Sequence, residues 1–463
     1  MLRTDTLGTI PIDALRSDLR GSVIAPGDLG YDEARKVSYG EFDRWPSVIA
    51  RPADEADVAR VIALARETGL ELAVRSCGHS LAGHSATDGG IVLDLAAMKG
   101  LEIDVAGRTA WAQPGLTTGE YTTAVAGHGL ATGFGDTASV GIGGITLGGG
   151  IGYLVRKHGL TIDHLLAAEV VTADGQHLVA SADTNPDLFW ALRGGGGNFG
   201  VATRLKFRLH EIDPFVGGML VLPATPGSIA AFAAAAGEAP DELSTIAAIM
   251  TAPPAPFLPA EAHGKRVILA MVAYAGEVEA GLRAVAPLRA VATPIADLVR
   301  PMRYTEMFQG GPEIGDVRLA SRTLFIDTID QALAGEILEH LAASTATMTV
   351  VQIRVLGGAM ARVADDATAF AHRRSRILVT LAAMFQPTDD RGPHQAWAES
   401  LARSLRQGEP RTFVNLLGTE GPDWIRAAYP DRTWDRLTAI KRRYDPTNLF
   451  RLNHNIPPAA GTE

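Results

Sequence analysis

A glycine-dense stretch in the first third of the chain constrains the fold more than any other feature. Between Gly127 and Gly152 there are 11 glycines in 26 residues. A flexible linker would carry polar residues between its glycines, whereas apolar residues such as Val140, Ile142 and Ile145 punctuate this stretch. We therefore expect a buried backbone that lies against a flat surface, where any side chain larger than hydrogen would block the approach.

The net charge and the cysteine content limit which binding partners, metal sites and cellular compartments are expected. The 463 residues carry 42 basic and 52 acidic side chains, a net charge of −10, which disfavours nucleic acid and anionic membrane surfaces as partners. The single cysteine, Cys77, excludes an internal disulfide and a multi-cysteine metal site. Charges throughout Met1–Leu19 leave no apolar block for a secretory signal. We expect a cytoplasmic monomer or small homo-oligomer without a resident metal.

The spacing of apolar residues predicts an α+β protein. Val58, Val61, Ile62 and Ala65 recur at helical spacing before Gly69, which indicates an amphipathic helix with a glycine stop. Short strands and helices follow without regular βαβ repetition. From about residue 211 the chain changes to alanine-rich helices between apolar strands, which indicates a second domain.

Several familiar motifs are absent or misplaced. The sequence contains no GxxxxGK[ST], no HExxH and no GxSxG elbow. Gly195, Gly197 and Gly200 match G-x-G-x-x-G. However, this match follows a helix-like segment and precedes a strand, the reverse of the order in dinucleotide-binding folds. Nicotinamide chemistry is therefore not indicated.

A short loop with an accessible histidine lies between two predicted strands. The loop is Arg75-Ser76-Cys77-Gly78-His79-Ser80, and the strands are Leu72–Val74 and Ile91–Leu95. A histidine considered alone is most often a surface or hydrogen-bonded structural residue. Here small residues flank His79, and the loop stands in the order helix, strand, loop, strand, glycine-dense stretch.

This order resembles the berberine-bridge-enzyme-like branch of the vanillyl-alcohol-oxidase flavoproteins. The likeness covers nearly the whole chain, because Gly194–Gly200, Leu356-Gly357-Gly358-Ala359 and the closing Tyr444–Pro458 also follow in family order. It implies an FAD-binding domain of the PCMH type in residues 1–210, a separate α+β substrate domain in 211–410, and a segment, 411–463, that returns to the first domain. It also implies a covalent bond between His79 and the 8α carbon of FAD.

The resemblance further implies which residues contact FAD. Backbone N–H groups of the His79 loop would hold the pyrophosphate, and the glycine-dense stretch would provide side-chain-free walls for the isoalloxazine ring. The implied contacts are Arg75, Ser76, Cys77, Gly78, His79, Ser80, Gly83, Gly135, Asp136, Thr137, Val140, Gly141, Gly143, Gly144, Gly149, Gly150, Gly152, Val201, Asn453 and Asn455. Many relatives attach FAD a second time through a cysteine, but Thr137 stands at that position, so we expect a single linkage.

The catalytic acid or base is left open between three residues. Relatives often place Glu, Gln or Tyr on the strand after His372-Arg373, where Ile377–Met384 offers only Thr380 as a polar group. Tyr429, just before the last helix, is the first candidate, with a half-buried packing role as its alternative. Arg354 and Gln352 alternate on a predicted strand, so they face either a pocket or solvent.

The resemblance implies an FAD-dependent oxidase. It would remove a hydride from an alcohol of the sugar or secondary-metabolite type, or from an amine, and reduce O₂ to H₂O₂. In the family, a small residue at the position of Val140 borders the flavin C4a and is associated with oxygen access. The alternatives are a dehydrogenase that uses another acceptor and a flavin-holding binding protein without turnover.

Overall fold

The first unit of the fold is a four-stranded sheet with helices packed against it. The computed structural model describes residues 10–308 and 317–461. The elements of this unit are α1 (Ile12–Asp18), β1 (Ser22–Ile24), α2 (Tyr31–Ala34), β2 (Val48–Arg51), α3 (Glu55–Thr68), β3 (Leu72–Arg75) and β4 (Ile91–Asp94). The strand order is β1-β2-β4-β3, with β4 parallel to both β2 and β3. The loop after β3 therefore leaves the carboxyl end of this sheet.

Helix α3 shows why the predicted helix forms. The Asp54 side chain accepts a hydrogen bond from the Asp57 backbone N–H, and Gly69 ends the helix with φ of 68°. Val58, Val61 and Ile62 are fully buried against the sheet. The N-cap, the apolar stripe and the left-handed glycine stop are the three signals expected of such a helix.

The second unit contains the glycine-dense stretch. Its elements are β5 (Leu101–Asp104), β6 (Thr109–Ala112), α4 (Thr118–Ala126), β7 (Leu130–Ala131), α5 (Ile142–Leu147), α6 (Val155–His158), β8 (Leu165–Val171), β9 (His177–Ser181), α7 (Pro186–Leu192), β10 (Val201–Arg208) and β11 (His210–Glu211). Five strands form one sheet in the order β5-β6-β10-β8-β9, and β7 pairs with β11. The glycine-dense stretch runs from the end of α4 through β7 and α5 almost to α6.

The third unit is an antiparallel sheet covered by helices on one face. Its elements are β12 (Phe215–Pro223), α8 (Pro226–Glu238), β13 (Leu243–Thr251), β14 (Arg266–Ala275), α9 (Val278–Arg289), β15 (Ala296–Asp297), β16 (Arg300–Pro301), β17 (Arg318–Ile326), α10 (Gln331–Ala343), β18 (Met348–Val355), α11 (Ala359–Arg362), β19 (Ile377–Phe385) and α12 (Arg391–Ser404). The order is β15-β12-β14-β13-β18-β19-β17, with β16 also paired to β12. Apolar residues of α8, α9, α10 and α12 pack into one core with this sheet.

The C-terminal segment packs against the second unit. Its helices are α13 (Pro422–Ala428) and α14 (Asp431–Tyr444). Leu437 and Ile440 of α14 join the core that contains Phe199. The buried Lys441 ammonium donates to the Asn198 carbonyl at 2.8 Å and to Asp445 at 2.6 Å. These bonds fix the following tail beside the loop that precedes β10.

Short 3₁₀ turns complete the regular structure, at Leu95–Ala97, Thr161–Asp163, Gly196–Asn198, Ala260–Ala262, Tyr304–Phe308 and Val414–Leu416. The mixed α+β architecture confirms the predicted fold class. Within residues 10–308 and 317–461, no helix has both the length and the apolar character needed to cross a bilayer.

Candidate active site

A cavity of about 1470 Å³ opens where the three units and the C-terminal tail meet. Its size exceeds the roughly 300–1,000 Å³ of an ordinary ligand pocket. One side, which we call the loop wall, is formed by residues 76–81, 135–141, 143–145, 147, 195–198 and 200–202 with Asn453 and His454. The opposite side, which we call the sheet wall, consists of inward-facing side chains of β17, β18 and β19: Leu319, Ser321, Gln352, Arg354, Thr380, Ala382 and Met384. The cavity is therefore larger than an ordinary ligand pocket and is lined by two unlike walls.

His79 lies on the loop wall, in the loop that leaves β3. Gly78, with φ of 79°, turns the chain there, and its carbonyl accepts a hydrogen bond of 3.2 Å from the Ser38 N–H. Burial lowers the pKa of His79, although a hydrogen bond to the Ser139 backbone acts in the opposite direction. The imidazole is therefore neutral at pH 7. One of its ring nitrogens keeps a lone pair, which can form a covalent bond or accept a hydrogen bond.

The glycines of the loop wall serve two different purposes. A Cβ on Gly141 would lie 2.0 Å from Ser76 Oγ, so this glycine lets the His79 loop and the start of α5 come into contact. Gly144 also lines the cavity, but a Cβ there would meet no protein atom within 4 Å. Gly143 and Gly135 line the cavity as well. Part of the predicted side-chain-free surface is thus present on this wall, at Gly144.

The sheet wall carries a hydrogen-bonded network centred on Arg354, which is 8% exposed. Its guanidinium donates to Asp136 Oδ2 at 2.9 Å, to the Ile151 carbonyl at 3.0 Å and to Gln352 Oε1 at 2.9 and 3.0 Å. Asp136 and Ile151 belong to the glycine-dense stretch, whereas Arg354 and Gln352 belong to β18. The network therefore ties the two walls together at one end of the cavity.

Tyr39 enters the cavity from the segment between α2 and β2. This segment is held on three sides: Ser38 bonds to Gly78, Glu41 pairs with Arg391 of α12, and the Phe42 ring packs against Gly83. Burial, followed by the nearby carboxylates of Asp136 and Glu41, raises the pKa of Tyr39 to about 12. The phenol therefore keeps its proton at neutral pH.

The structure contradicts the choice of Tyr429 as the acid or base. Tyr429 is 2% exposed, and its hydroxyl donates to the Gly194 carbonyl at 3.0 Å. Its ring packs beside Trp434 in the core of the second unit and does not line the cavity. The phenol is therefore placed as a packing residue that hydrogen-bonds the Gly194 loop, apart from the cavity lining.

Six predicted FAD contacts also lie outside the cavity, each for a local reason. Arg75 is 4% exposed and bonds to Asp94 at 2.9 Å. Gly83 packs on the Phe42 ring. Three further glycines face other parts of the protein: Gly149 faces Phe413 and Phe370, Gly150 faces Thr161, and Gly152 faces the Phe134 carbonyl. Asn455 lies in the C-terminal tail, where the backbone N–H of the next residue, Ile456, donates to Asn198. These six residues are not among those that line the cavity.

The other predicted site residues line the cavity. On the loop wall and tail they are Ser76, Cys77, Gly78, His79, Ser80, Gly135, Asp136, Thr137, Val140, Gly141, Gly143, Gly144, Val201 and Asn453, and on the sheet wall they are Gln352 and Arg354. Their roles stay predictions. Across the described ranges 10–308 and 317–461, no cluster of three or more His, Cys, Asp or Glu is arranged to hold a metal ion.

Comparison with known proteins identifies the family. The FAD binding domain family matches residues 46–181, and the Berberine and berberine like family matches residues 412–457. The chain is 31% identical to (R)-6-hydroxynicotine oxidase of Paenarthrobacter nicotinovorans over 95% of this chain and 97% of that protein. The chain belongs to the berberine-bridge-enzyme-like FAD-linked oxidoreductases.

A solved structure of a hydroxynicotine oxidase and one further relative show how far the likeness of this berberine-bridge-enzyme-like chain extends. The crystal structure of 6-hydroxy-D-nicotine oxidase from Arthrobacter nicotinovorans superposes with a TM-score of 0.85 at 29% identity, covering 95% of this chain and 98% of that chain. The xylooligosaccharide oxidase of Thermothelomyces thermophilus is 28% identical over 89% of this chain and 88% of its own length. The predicted family and the α+β fold with an FAD-binding domain are confirmed.

The cavity of this berberine-bridge-enzyme-like protein fits FAD. Asn453 lines the cavity, and its Oδ1 atom is buried without a hydrogen-bond partner in the described ranges, so an amide oxygen is available to a bound molecule. The surface at Gly144 is free of side chains. The neutral imidazole of His79 stands on the same wall.

Sequence reasoning missed three groups in this berberine-bridge-enzyme-like site. Tyr39, Thr380 and Ser321 all line the cavity. Thr380 could have been selected, because it is the only polar residue that the strand Ile377–Met384 offers. Tyr39 and Ser321 carry no such signal, since only the three-dimensional fold brings their segments to the site.

Proposed function

We propose that the protein is an FAD-linked oxidase that oxidises an alcohol or amine carbon and transfers the electrons to O₂, giving H₂O₂. The observation that carries this proposal is the cavity with its two unlike walls. The loop wall presents His79 and bare glycine backbone to a planar cofactor, and the sheet wall presents polar side chains to a second molecule. A substrate held between the walls would have its reacting carbon against the cofactor.

We propose that FAD is linked covalently through His79 alone. The neutral imidazole has the lone pair that such a bond requires, and its place in a loop fixed by the Ser38–Gly78 bond restricts its movement. Cys77, the only cysteine of the chain, also lines the cavity, but burial raises the pKa of its thiol and so disfavours the thiolate. This supports a single histidyl attachment.

Bound FAD supplies the hydride acceptor and the route by which electrons reach the final acceptor. The chain contributes binding, orientation and exclusion of water. Ser76 to Ser80 with Gly141 to Gly144 hold one face of the cavity, and Gln352 with Thr380 and Tyr39 orient the substrate from the other. Apolar lining residues, including Ile145, Leu319 and Met384, keep the space between them dry.

The proposal of O₂ as acceptor rests on Val140. This residue lines the cavity just before helix α5. In the berberine-bridge-enzyme-like family, a small side chain at this position is associated with oxygen access. The oxidase names of the hydroxynicotine and xylooligosaccharide relatives agree with this choice.

A peroxide assay across a panel of alcohols, sugars and amines tests the proposed function. The purified holoenzyme should release H₂O₂ with at least one compound and should do so without an added acceptor. Reduction of an artificial acceptor such as dichlorophenolindophenol without peroxide would instead indicate a dehydrogenase. Failure of every compound to reduce the flavin under anaerobic conditions would favour a flavin-holding protein and contradict the proposal.

A further inference from the structure

The charged side chains that line the cavity neutralise one another. Five such Asp, Glu, Lys or Arg residues occur among the lining residues of the described ranges, and each has a partner of opposite charge. Glu33 pairs with Lys36 at 2.8 Å, Asp136 pairs with Arg354 at 2.9 Å, and Asp43 pairs with Arg35. No lining carboxylate or cation of the described ranges is therefore left over to balance a charged substrate.

The sheet wall instead offers neutral hydrogen-bonding groups, beginning with Gln352. Its Oε1 atom accepts two hydrogen bonds from Arg354. Because the carboxamide oxygen is committed to the guanidinium, the orientation of the amide is fixed, and the NH₂ group with its two donors is turned away from Arg354. Arg354 acts through Gln352 and is a positioning residue.

Thr380 stands next to Gln352 on the neighbouring strand. The two residues are register partners in the β18–β19 pair, so their side chains project from the same face of the sheet. The Thr380 Oγ1 atom is buried and has no hydrogen-bond partner in the described ranges, although Thr380 lines the cavity. A buried hydroxyl without a partner at a cavity wall points to a ligand that completes its hydrogen bonding.

Tyr39 adds a third neutral group from the segment between α2 and β2. Tyr39 lines the cavity, and its pKa of about 12 keeps the hydroxyl protonated, so the phenol can donate a hydrogen bond. The Asp136 carboxylate contributes to the raised pKa of Tyr39. The same carboxylate forms the ion pair with Arg354. Tyr39 therefore stands at the same end of the cavity as the Arg354 network.

We propose that Tyr39, Thr380 and Gln352 form a neutral patch that selects an uncharged, hydroxyl-bearing substrate. The inference rests on the proposed function and narrows it to alcohols. The alcohol carbon gives a hydride to FAD and the alcohol oxygen gives a proton to solvent, so a carbonyl forms and FAD gains two electrons. An ordinary amine is a cation at pH 7, and the paired cavity charges leave its desolvation uncompensated.

Matched alcohols and amines on one scaffold test the selection. Benzyl alcohol with benzylamine, and glucose with glucosamine, would be compared within the wider panel of uncharged alcohols and sugars and their amine analogues. Flavin reduction would be followed anaerobically with the holoenzyme, so the result does not depend on the acceptor. We expect the rate constant of flavin reduction divided by the apparent dissociation constant to be at least about 10-fold higher for the best uncharged alcohol than for its amine analogue.

Equal or better oxidation of the cationic amine would overturn the neutral patch and leave the proposed oxidase standing. Reduction of the flavin by no compound in either class would overturn the proposed function and the neutral patch together.

Variants of the patch then test the residues with the best uncharged substrate. Thr380→Val and Tyr39→Phe each remove one hydroxyl with little change in shape. We expect each to raise KM on the order of 10-fold, the value of one hydrogen bond, while the flavin spectrum and melting temperature stay as in wild type. Thr380→Ser should restore KM to near the wild-type value.

Tyr153→Phe is the matched control. Tyr153 is 4% exposed, lies within the influence of the same Asp136 and Arg354, and is not among the cavity-lining residues. An unchanged KM in Tyr39→Phe and Thr380→Val, or an equal increase in Tyr153→Phe, would contradict the assignment of the patch.

Discussion

The two walls of the cavity are built in opposite ways. The loop wall is made of backbone: its key positions are glycines and short side chains whose close approach, as between Gly141 and Ser76, leaves no room for a Cβ. The sheet wall is made of side chains that alternate along β17, β18 and β19, with a packed core behind them. A backbone wall fixes a surface, whereas a side-chain wall can change its chemistry residue by residue without changing its frame.

The largest effect is expected at Arg354, where the two walls are joined. Arg354→Met would remove four hydrogen bonds and leave the Asp136 carboxylate, about a quarter exposed, without its counter-charge. We expect a loss of about 2–4 kcal/mol in the free energy of unfolding, measured by urea denaturation. Arg374, whose side chain is 85% exposed beside Asp365, is the control, and Arg374→Met should cost less than about 1 kcal/mol. Equal losses in the two variants would mean that the walls are not joined through Arg354.

The next effect separates the two kinds of glycine on the loop wall. Gly141→Ala would place a Cβ 2.0 Å from Ser76 Oγ and 2.9 Å from Cys77 Sγ, so we expect a loss of about 1–3 kcal/mol by overpacking. Gly144→Ala meets no protein atom within 4 Å and should leave the unfolding free energy nearly unchanged. Urea denaturation of both variants decides the point. Comparable destabilisation by the two alanines would contradict the close-packed loop wall.

Acid should weaken the loop wall through a pair of cavity-lining histidines. His84 and His454 contact each other edge to face with ring centroids 5.0 Å apart. Burial lowers the pKa of His84 to about 4 and that of His454 to about 3. Both folded-state pKa values lie below the ordinary value of 6.5. Between pH 6.5 and the lowered values, the unfolded chain therefore binds more protons than the folded protein. Their contribution to stability is therefore complete above pH 6.5 and is lost progressively as the pH falls towards 4.

The measurement for this acid effect is the slope of unfolding free energy against pH between 6.5 and 4. Replacing His84 and His454 by leucine should make this slope shallower. The decrease should correspond to at most two fewer protons taken up on unfolding. A slope that does not change in the double variant would show that these two histidines do not cause the acid sensitivity.

The smallest effect is expected at Tyr429, behind the loop wall. Tyr429→Phe removes one buried hydrogen bond to the Gly194 carbonyl, so we expect about 1 kcal/mol of destabilisation and a wild-type rate of flavin reduction. A decrease of 10²-fold or more in that rate, at unchanged stability, would show instead that Tyr429 acts as an acid or base in flavin reduction.

The sequence was informative where the site is contiguous along the chain. The His79 loop and Gly141–Gly144 occupy short segments, and their residue types report directly on backbone shape. The number of glycines could not show which of them face a ligand. Gly149, Gly150 and Gly152 serve contacts with Phe413, Thr161 and the Phe134 carbonyl, and these partners are defined only by tertiary packing.

The sheet wall could be predicted only in part. Gln352 and Arg354 alternate on one strand, so a common face was foreseeable, but the register that sets Thr380 beside Gln352 depends on the pairing of β18 with β19. Tyr39 reaches the site over more than 300 residues of separation from these strands. Tyr429 was misplaced because its nearness in sequence to the last helix carries no information about which side of the Gly194 loop it occupies.

Intact-protein mass spectrometry tests directly the proposal that the loop wall holds FAD bonded to His79. Denatured wild-type protein should carry the added mass of one FAD, and proteolysis should place the flavin on the peptide that contains His79. His79→Ala should show the mass of the bare chain. Wild-type protein that loses all of its FAD on denaturation, or a flavin found on any other residue, would contradict the claim.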